Sequence, residues 1–99
     1  MASAPISLSG TASSGQASLT WSSGVSHNEP PVTDFLIQYR VNGTSLWNTF
    51  AHTASTSGAI NVTGLSNGLT YDFQVAAVNL IGVSPFSNVT DVRLSLIHI

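Results

Sequence analysis

Residues 64–79 read GLSNGLTYDFQVAAVN, and the two halves of that stretch follow different rules. The first half is small, polar and bracketed by Gly64 and Gly68, a composition that lets a backbone turn sharply. The second half alternates, with Tyr71, Phe73, Val75 and Ala77 at every other position and Asp72 and Gln74 between them. Successive side chains on a strand point to opposite faces. The first set therefore belongs to a core, and Asp72 and Gln74 are expected to face solvent or a neighbour. A turn feeding a half-buried strand accounts for the stretch without a reactive loop.

The same alternation recurs on either side. Ala17, Leu19 and Trp21 share one face of an earlier segment, and Phe35, Ile37 and Tyr39 share one face of the next. Strands are expected over residues 6–9, 17–22, 34–41, 46–51, 59–63, 71–79 and 87–94, separated by the turn clusters GTASSG, SSGVSHNEPP, NGTS, HTASTSG, GLSNG and LIGVSP. No segment sustains a helical period. Short strands with turn signals about every ten residues are the pattern of an all-β sandwich or barrel. Truncating Trp21 to alanine in such a core is expected to cost about 3–5 kcal/mol.

Composition narrows the partners. The 99 residues suffice for one domain with one hydrophobic core. The six charged residues are Arg40, Arg93, Glu29, Asp34, Asp72 and Asp91; there is no lysine, and the net charge is -2. Nucleic acid and anionic membrane surfaces are both recognised by clusters of Lys and Arg, so neither is expected as a partner. The longest apolar runs, such as VAAV at 75–78, are far too short for membrane insertion. Ser, Thr and Asn supply 33 of the 99 residues, so hydroxyls and amides supply the polarity of the surface. With no cysteine, disulfide frameworks and thiolate metal sites are excluded. The opening MASAPISLSG has neither a basic nor an apolar signal region.

In order along the chain stand Pro5, Leu19-Thr20-Trp21, Pro30-Pro31, Phe35-x-Ile37-x-Tyr39, Trp47, Leu65-x-x-Gly68-x-x-Tyr71 and Val75-x-Ala77-x-Asn79-x-x-Gly82-x-Ser84-Pro85-x-Ser87. With these anchors the chain resembles a fibronectin type III domain from Ala4 to Val92. The resemblance implies an immunoglobulin-like β-sandwich of seven antiparallel strands in two sheets, ABE and C'CFG, with the chain ends at opposite poles. It also implies that Tyr71 sends its hydroxyl back to the turn before its strand, as sandwich folds do at that corner. Family members act mainly as spacers and interaction units of extracellular and cell-surface proteins, among them repeat adhesins and secreted carbohydrate-active enzymes. The lysine-free, Ser/Thr/Asn-rich character is similar to the bacterial members. The expected role is thus a non-catalytic spacer or interaction module, monomeric in isolation, with neighbouring domains of the same polypeptide as its first partners.

The residue inventory offers little to catalysis. His27, His52 and His98 lie in two loops and the tail without metal-ligand spacing, and neither a phosphate-binding glycine loop nor a nucleophile elbow is present. Asp72 and Asp91 could adjoin across the last two strands, with an arginine as the plainer companion for each. No cofactor or metal is implied. The alternative role is binding of glycan or protein, and its residues would be Trp47, Leu80, Ile81, Val83 and Phe86. Trp47 and Phe50 stand three apart on a strand, so they point to opposite sides and form no shared platform. In the family a tryptophan at the position of Trp47 lies partly covered on the C'CFG sheet. The LIGVSPF segment corresponds to the loop that carries an Arg-Gly-Asp integrin motif in some members, a triplet absent here. Three Asn-x-Thr triplets begin at Asn42, Asn61 and Asn88. Finally, LSLIHI at 94–99 resembles the in-frame translation of a transposon-end sequencing adapter. The domain is accordingly expected to occupy residues 1–93, with 94–99 as a read-through tail.

Overall fold

The computed structural model describes residues 5–22, 32–52, 58–80 and 82–94. Seven strands form in chain order: β1 (Ile6–Ser13), β2 (Gln16–Ser22), β3 (Asp34–Val41), β4 (Asn48–Thr49), β5 (Ala59–Val62), β6 (Thr70–Val78) and β7 (Thr90–Arg93). They make a three-stranded sheet ordered β1-β2-β5 and a four-stranded sheet ordered β4-β3-β6-β7. All pairings are antiparallel. The predicted sandwich and its two sheets are therefore present. No described helix is long and apolar enough to cross a membrane.

The alternating segments became strands because each could bury one face against the other sheet. Leu19, Ile37, Phe73 and Val75 are fully buried, and Trp21, Phe35, Leu65, Tyr71 and Ala77 are buried with them. Trp21 meets Phe35 edge-on at 5.1 Å between ring centroids, the arrangement that aromatic quadrupoles favour. Tyr39 differs from the expected core placement. It is half-buried at the rim, packed edge-on against Tyr71.

Three strands differ clearly from their expected bounds, the last of them covering only Thr90–Arg93 of the expected 87–94. The first strand runs on to Ser13, through most of what reads as the GTASSG turn, because Gly10 admits a close approach there. A Cβ on Gly10 would lie 2.6 Å from Val92 and 2.8 Å from Leu19, so glycine lets β1 sit down on the core. Conversely, the strand expected at 46–51 shrinks to two residues, paired only through Gln38↔Thr49 and Tyr39↔Asn48. β1 also carries a bulge: Ile6 pairs Ser22 and Ser9 pairs Thr20, leaving one extra residue on β1. Ser7 within it is left-handed at φ 57°.

One pole is heavily cross-linked by backbone. Ser66 N–H donates to the Tyr71 hydroxyl at 3.0 Å, and Gly15 N–H donates to Asn67 Oδ1 at 2.9 Å. Leu65 N–H reaches Gly15 O at 2.9 Å, and Leu94 exchanges two bonds with Gly68 and Leu69. Leu94 is fully buried, so packing continues one residue past Arg93. Residues 95–99, and with them His98, lie outside the described residues, as do His27, Pro30, Pro31 and Ile81.

Candidate functional site

The outer face of the four-stranded sheet holds the charged residues among those described. Arg40 on β3 and Asp72 on β6 are register partners, and Arg40 Nε donates to Asp72 Oδ2 at 2.9 Å. Asn42, just after β3, donates its Nδ2 hydrogen to Asp72 Oδ1 at 2.9 Å. Contrary to the expectation that it faces solvent, Asp72 is only 3% exposed. The cause is lateral cover: a long arginine and an asparagine from the neighbouring strand lie across it, and alternation alone carries no information about such neighbours.

Asp91 on β7 is the register partner of Asp72 on the other side. Burial pushes the Asp72 carboxyl up, but hydrogen bonds with Asn42, Asp91 and Arg40 and the charge of Arg40 together outweigh it and hold Asp72 below its ordinary value. Asp91 is pushed up by its hydrogen bond to Asp72 and by that group's charge. Two carboxyls moved apart in this way can in general serve as an acid and a base. Here the ionised member is covered by Arg40 and Asn42, which take both of its oxygens. Among the described residues, no group of three His, Asp or Glu side chains could hold a metal. Asp72 and Asp91 form one rung of the β6–β7 ladder.

Trp47 is half-buried, with the Arg40 guanidinium 4.3 Å from its ring centroid. That face of the indole is occupied by a cation, which leaves the other face for any ligand. Phe50 instead packs against the core and stacks on His52, so the two aromatics do fall on different sides. His52 holds Phe35 O at 2.8 Å through Nε2 and lies 3.9 Å from Asp34 Oδ1. Beside it is an open depression of about 200 Å³ bordered by Leu36, Phe50, His52 and Val78.

The segment after β6 divides the remaining apolar residues. Leu80 is 86% exposed and Val83 45%, while Phe86 is half-buried. Asn79 closes the turn, donating its N–H to Gly82 O and accepting from Gly82 N–H on Oδ1. Beyond the turn, Ser84 and Ser87 are buried. Ser84 N–H donates to Ala77 O at 2.8 Å while its Oγ accepts from Ala77 N–H at 2.8 Å. Ser87 repeats the arrangement with Val75, at 2.7 and 3.1 Å. Each serine hydroxyl stands in for a backbone carbonyl. The spacing Ser84-Pro85-x-Ser87 was the only signal of this role, and in so serine-rich a chain it is a quiet one.

The two-sheet sandwich is thus pinned by Tyr71 at one corner and by two serines between β6 and β7. The fibronectin type III domain model fits residues 3–93. The chain belongs to that family. Among curated proteins it is similar to Protein turtle of Drosophila melanogaster, 34% identical over 90 residues, covering 91% of this chain. It spans only 6% of that relative's length. Among solved structures, the fibronectin type III fold here superimposes on titin domains A168-A170 with a TM-score of 0.86 at 18% identity, covering 96% of this chain and 32% of that one. An Fn3-like protein from Clostridium thermocellum gives a TM-score of 0.73 at 21% identity, covering 99% of this chain and 98% of that one. At such identities these two structures speak to fold alone.

Proposed function

We propose that this fibronectin type III domain is a non-catalytic spacer and interaction module of a larger exported or cell-surface protein, with neighbouring domains of the same polypeptide as its primary partners. The observation that carries the reading is that its reactive-looking groups are consumed by the fold. Asp72 is tied to Arg40 and Asn42, Ser84 and Ser87 to the β6 backbone, and Tyr71 to Ser66. The 34% identity to Protein turtle, of whose length the chain spans only 6%, supports a place within a longer polypeptide. The polar, cysteine-free, lysine-free surface suits an exported chain that is neither disulfide-linked nor drawn to nucleic acid. As an isolated domain it is monomeric.

A second reading is favoured by one specific observation, the exposure of Leu80 and Val83 at the turn after β6. Those residues or, separately, the open face of Trp47 would be the glycan- or protein-binding positions. A glycan array probed with the purified domain separates the two. The spacer reading expects no signal at high protein concentration and a single species of 10.3 kDa in light scattering. A signal abolished by Trp47→Ala or Leu80→Ser would overturn it. The flanking coding sequence tests the export claim: further modules behind a secretory signal support it, and a cytosolic reading frame refutes it. The same DNA tests the proposal that residues 94–99 are adapter read-through, which a genuine stop codon without adapter sequence would sink.

A further inference from the structure

The three Asn-x-Thr triplets, acceptor patterns for N-linked glycans, sit in very different places in the fold. Asn88 is committed to β1. The bulge there turns the backbone of Leu8 away from β2, and Asn88 takes both of its groups: Oδ1 accepts from Leu8 N–H at 3.1 Å and Nδ2 donates to Leu8 O at 3.1 Å. Both bonds leave from one edge of a planar amide, so the hydrogen used is the one on the same side as Oδ1. A carbon joined to an amide nitrogen takes that same side, for the reason that peptide bonds are trans. A sugar on Asn88 and this pairing therefore exclude each other.

Asn42 spends its nitrogen on the buried carboxylate of Asp72. A pyranose on that nitrogen would stand directly beside the Arg40–Asp72 pair. Asn61 has neither constraint. It lies on β5, which pairs only with β2 and so forms an edge of its sheet. The next residue, Val62, is fully buried, which turns Asn61 outward. Its Oδ1 accepts from Ser18 Oγ at 2.8 Å, and among the described residues no hydrogen bond engages its Nδ2. Thr63, which completes the triplet, is exposed.

We infer that Asn61 is the N-glycan attachment site of this domain, the one acceptor of the three whose modification leaves the hydrogen bonds of the fold in place. The inference rests on the proposed export. In the transfer, the Asn61 Nδ2 forms a bond to the anomeric carbon of a lipid-linked oligosaccharide diphosphate. The bond from that carbon to the diphosphate oxygen breaks, the diphosphate leaves with the electron pair, and the displaced nitrogen proton passes to a base of the transferase. The attached sugar stands over an open sheet edge, where bulk and polarity oppose pairing with another chain.

The test is intact-mass and glycopeptide analysis of the folded domain secreted from eukaryotic cells behind an added cleavable signal. Wild type is expected to carry one glycan, at Asn61. Asn61→Gln and Thr63→Ala, the second leaving the asparagine in place, are each expected to carry none, and Asn42→Gln and Asn88→Gln to keep it. A bare Asn61 in the secreted wild type, or full occupancy of Asn42 or Asn88 in the folded protein, overturns the inference. Because export is imposed by the added signal, those results bear on the site and leave the natural location to its own test.

Discussion

The two edges of β6 solve one problem in two ways. Toward β3, an unbroken ladder of eight residue pairs runs from Asp34↔Val78 to Val41↔Tyr71. Toward β7, the ladder covers only Thr70 to Phe73. Beyond that point Ser87 and Ser84 take over, with Pro85 and Phe86 between them opposite the single Ala76 between Val75 and Ala77. Proline lacks an amide hydrogen and fixes its own backbone, and the regular ladder is interrupted around Pro85. The backbone groups of a central strand still need partners. The comparison teaches that a sheet edge can be continued by side chains where the sequence forbids continuation by backbone.

The β3 side should be the more costly to damage. Ile37→Ala removes a fully buried side chain from the β3 ladder and is expected to cost about 2–5 kcal/mol in chemical denaturation. A loss near zero would mean that the ladder carries little of the core. On the opposite edge, Ser84→Ala strands the Ala77 N–H in a buried position, with an expected loss of about 1–3 kcal/mol. Ser84→Thr keeps the hydroxyl and should recover part of it. If alanine is tolerated without loss, the hydroxyl is not acting as the missing carbonyl.

Smaller effects belong to the stretch where β6 is paired on both sides. Tyr71→Phe deletes the acceptor of Ser66 N–H and is expected to cost about 1 kcal/mol with the fold intact. The smallest change is Asp91→Asn. Asp91 is raised by Asp72, so its contribution is favourable in acid and is lost as pH rises through its folded value. Removing its charge should therefore raise the thermal midpoint slightly near neutral pH, and the gain should vanish below the ordinary value of 3.8. Asp72, being lowered, works in the opposite direction. Asp72→Asn should destabilise near neutral pH, an effect lost as pH falls below that same ordinary value. A pH-independent gain for Asp91→Asn would show that the two carboxyls do not interact.

The β3 side was also the more legible. Phe35, Ile37, Phe73 and Val75 could be placed inside from period alone, because a strand paired continuously and half-buried writes its geometry into every second residue. The other edge writes nothing periodic. Ser84 and Ser87 act through hydroxyls that a sequence displays identically whether they cap a backbone or meet water. Asp72 departs from its expected exposure for a related reason: its burial is set by Arg40, Asn42 and Asp91, none of them on β6, and cross-strand register is not visible from a single strand. Tyr39 shows the limit from the apolar side. Its alternation is correct, but it lies where the sandwich opens, so facing inward did not mean being covered.

The clasp between Asn88 and Leu8 joins residues 80 positions apart, and that separation has a kinetic meaning. Contacts that close long loops bear a larger entropic cost before they return anything. Both sheets must already be in place to bring β1 and the approach to β7 together, so the clasp forms late in folding. By the same logic it opens early, and the exchange of the Leu8 amide with solvent should report the first local opening of the domain rather than its global unfolding.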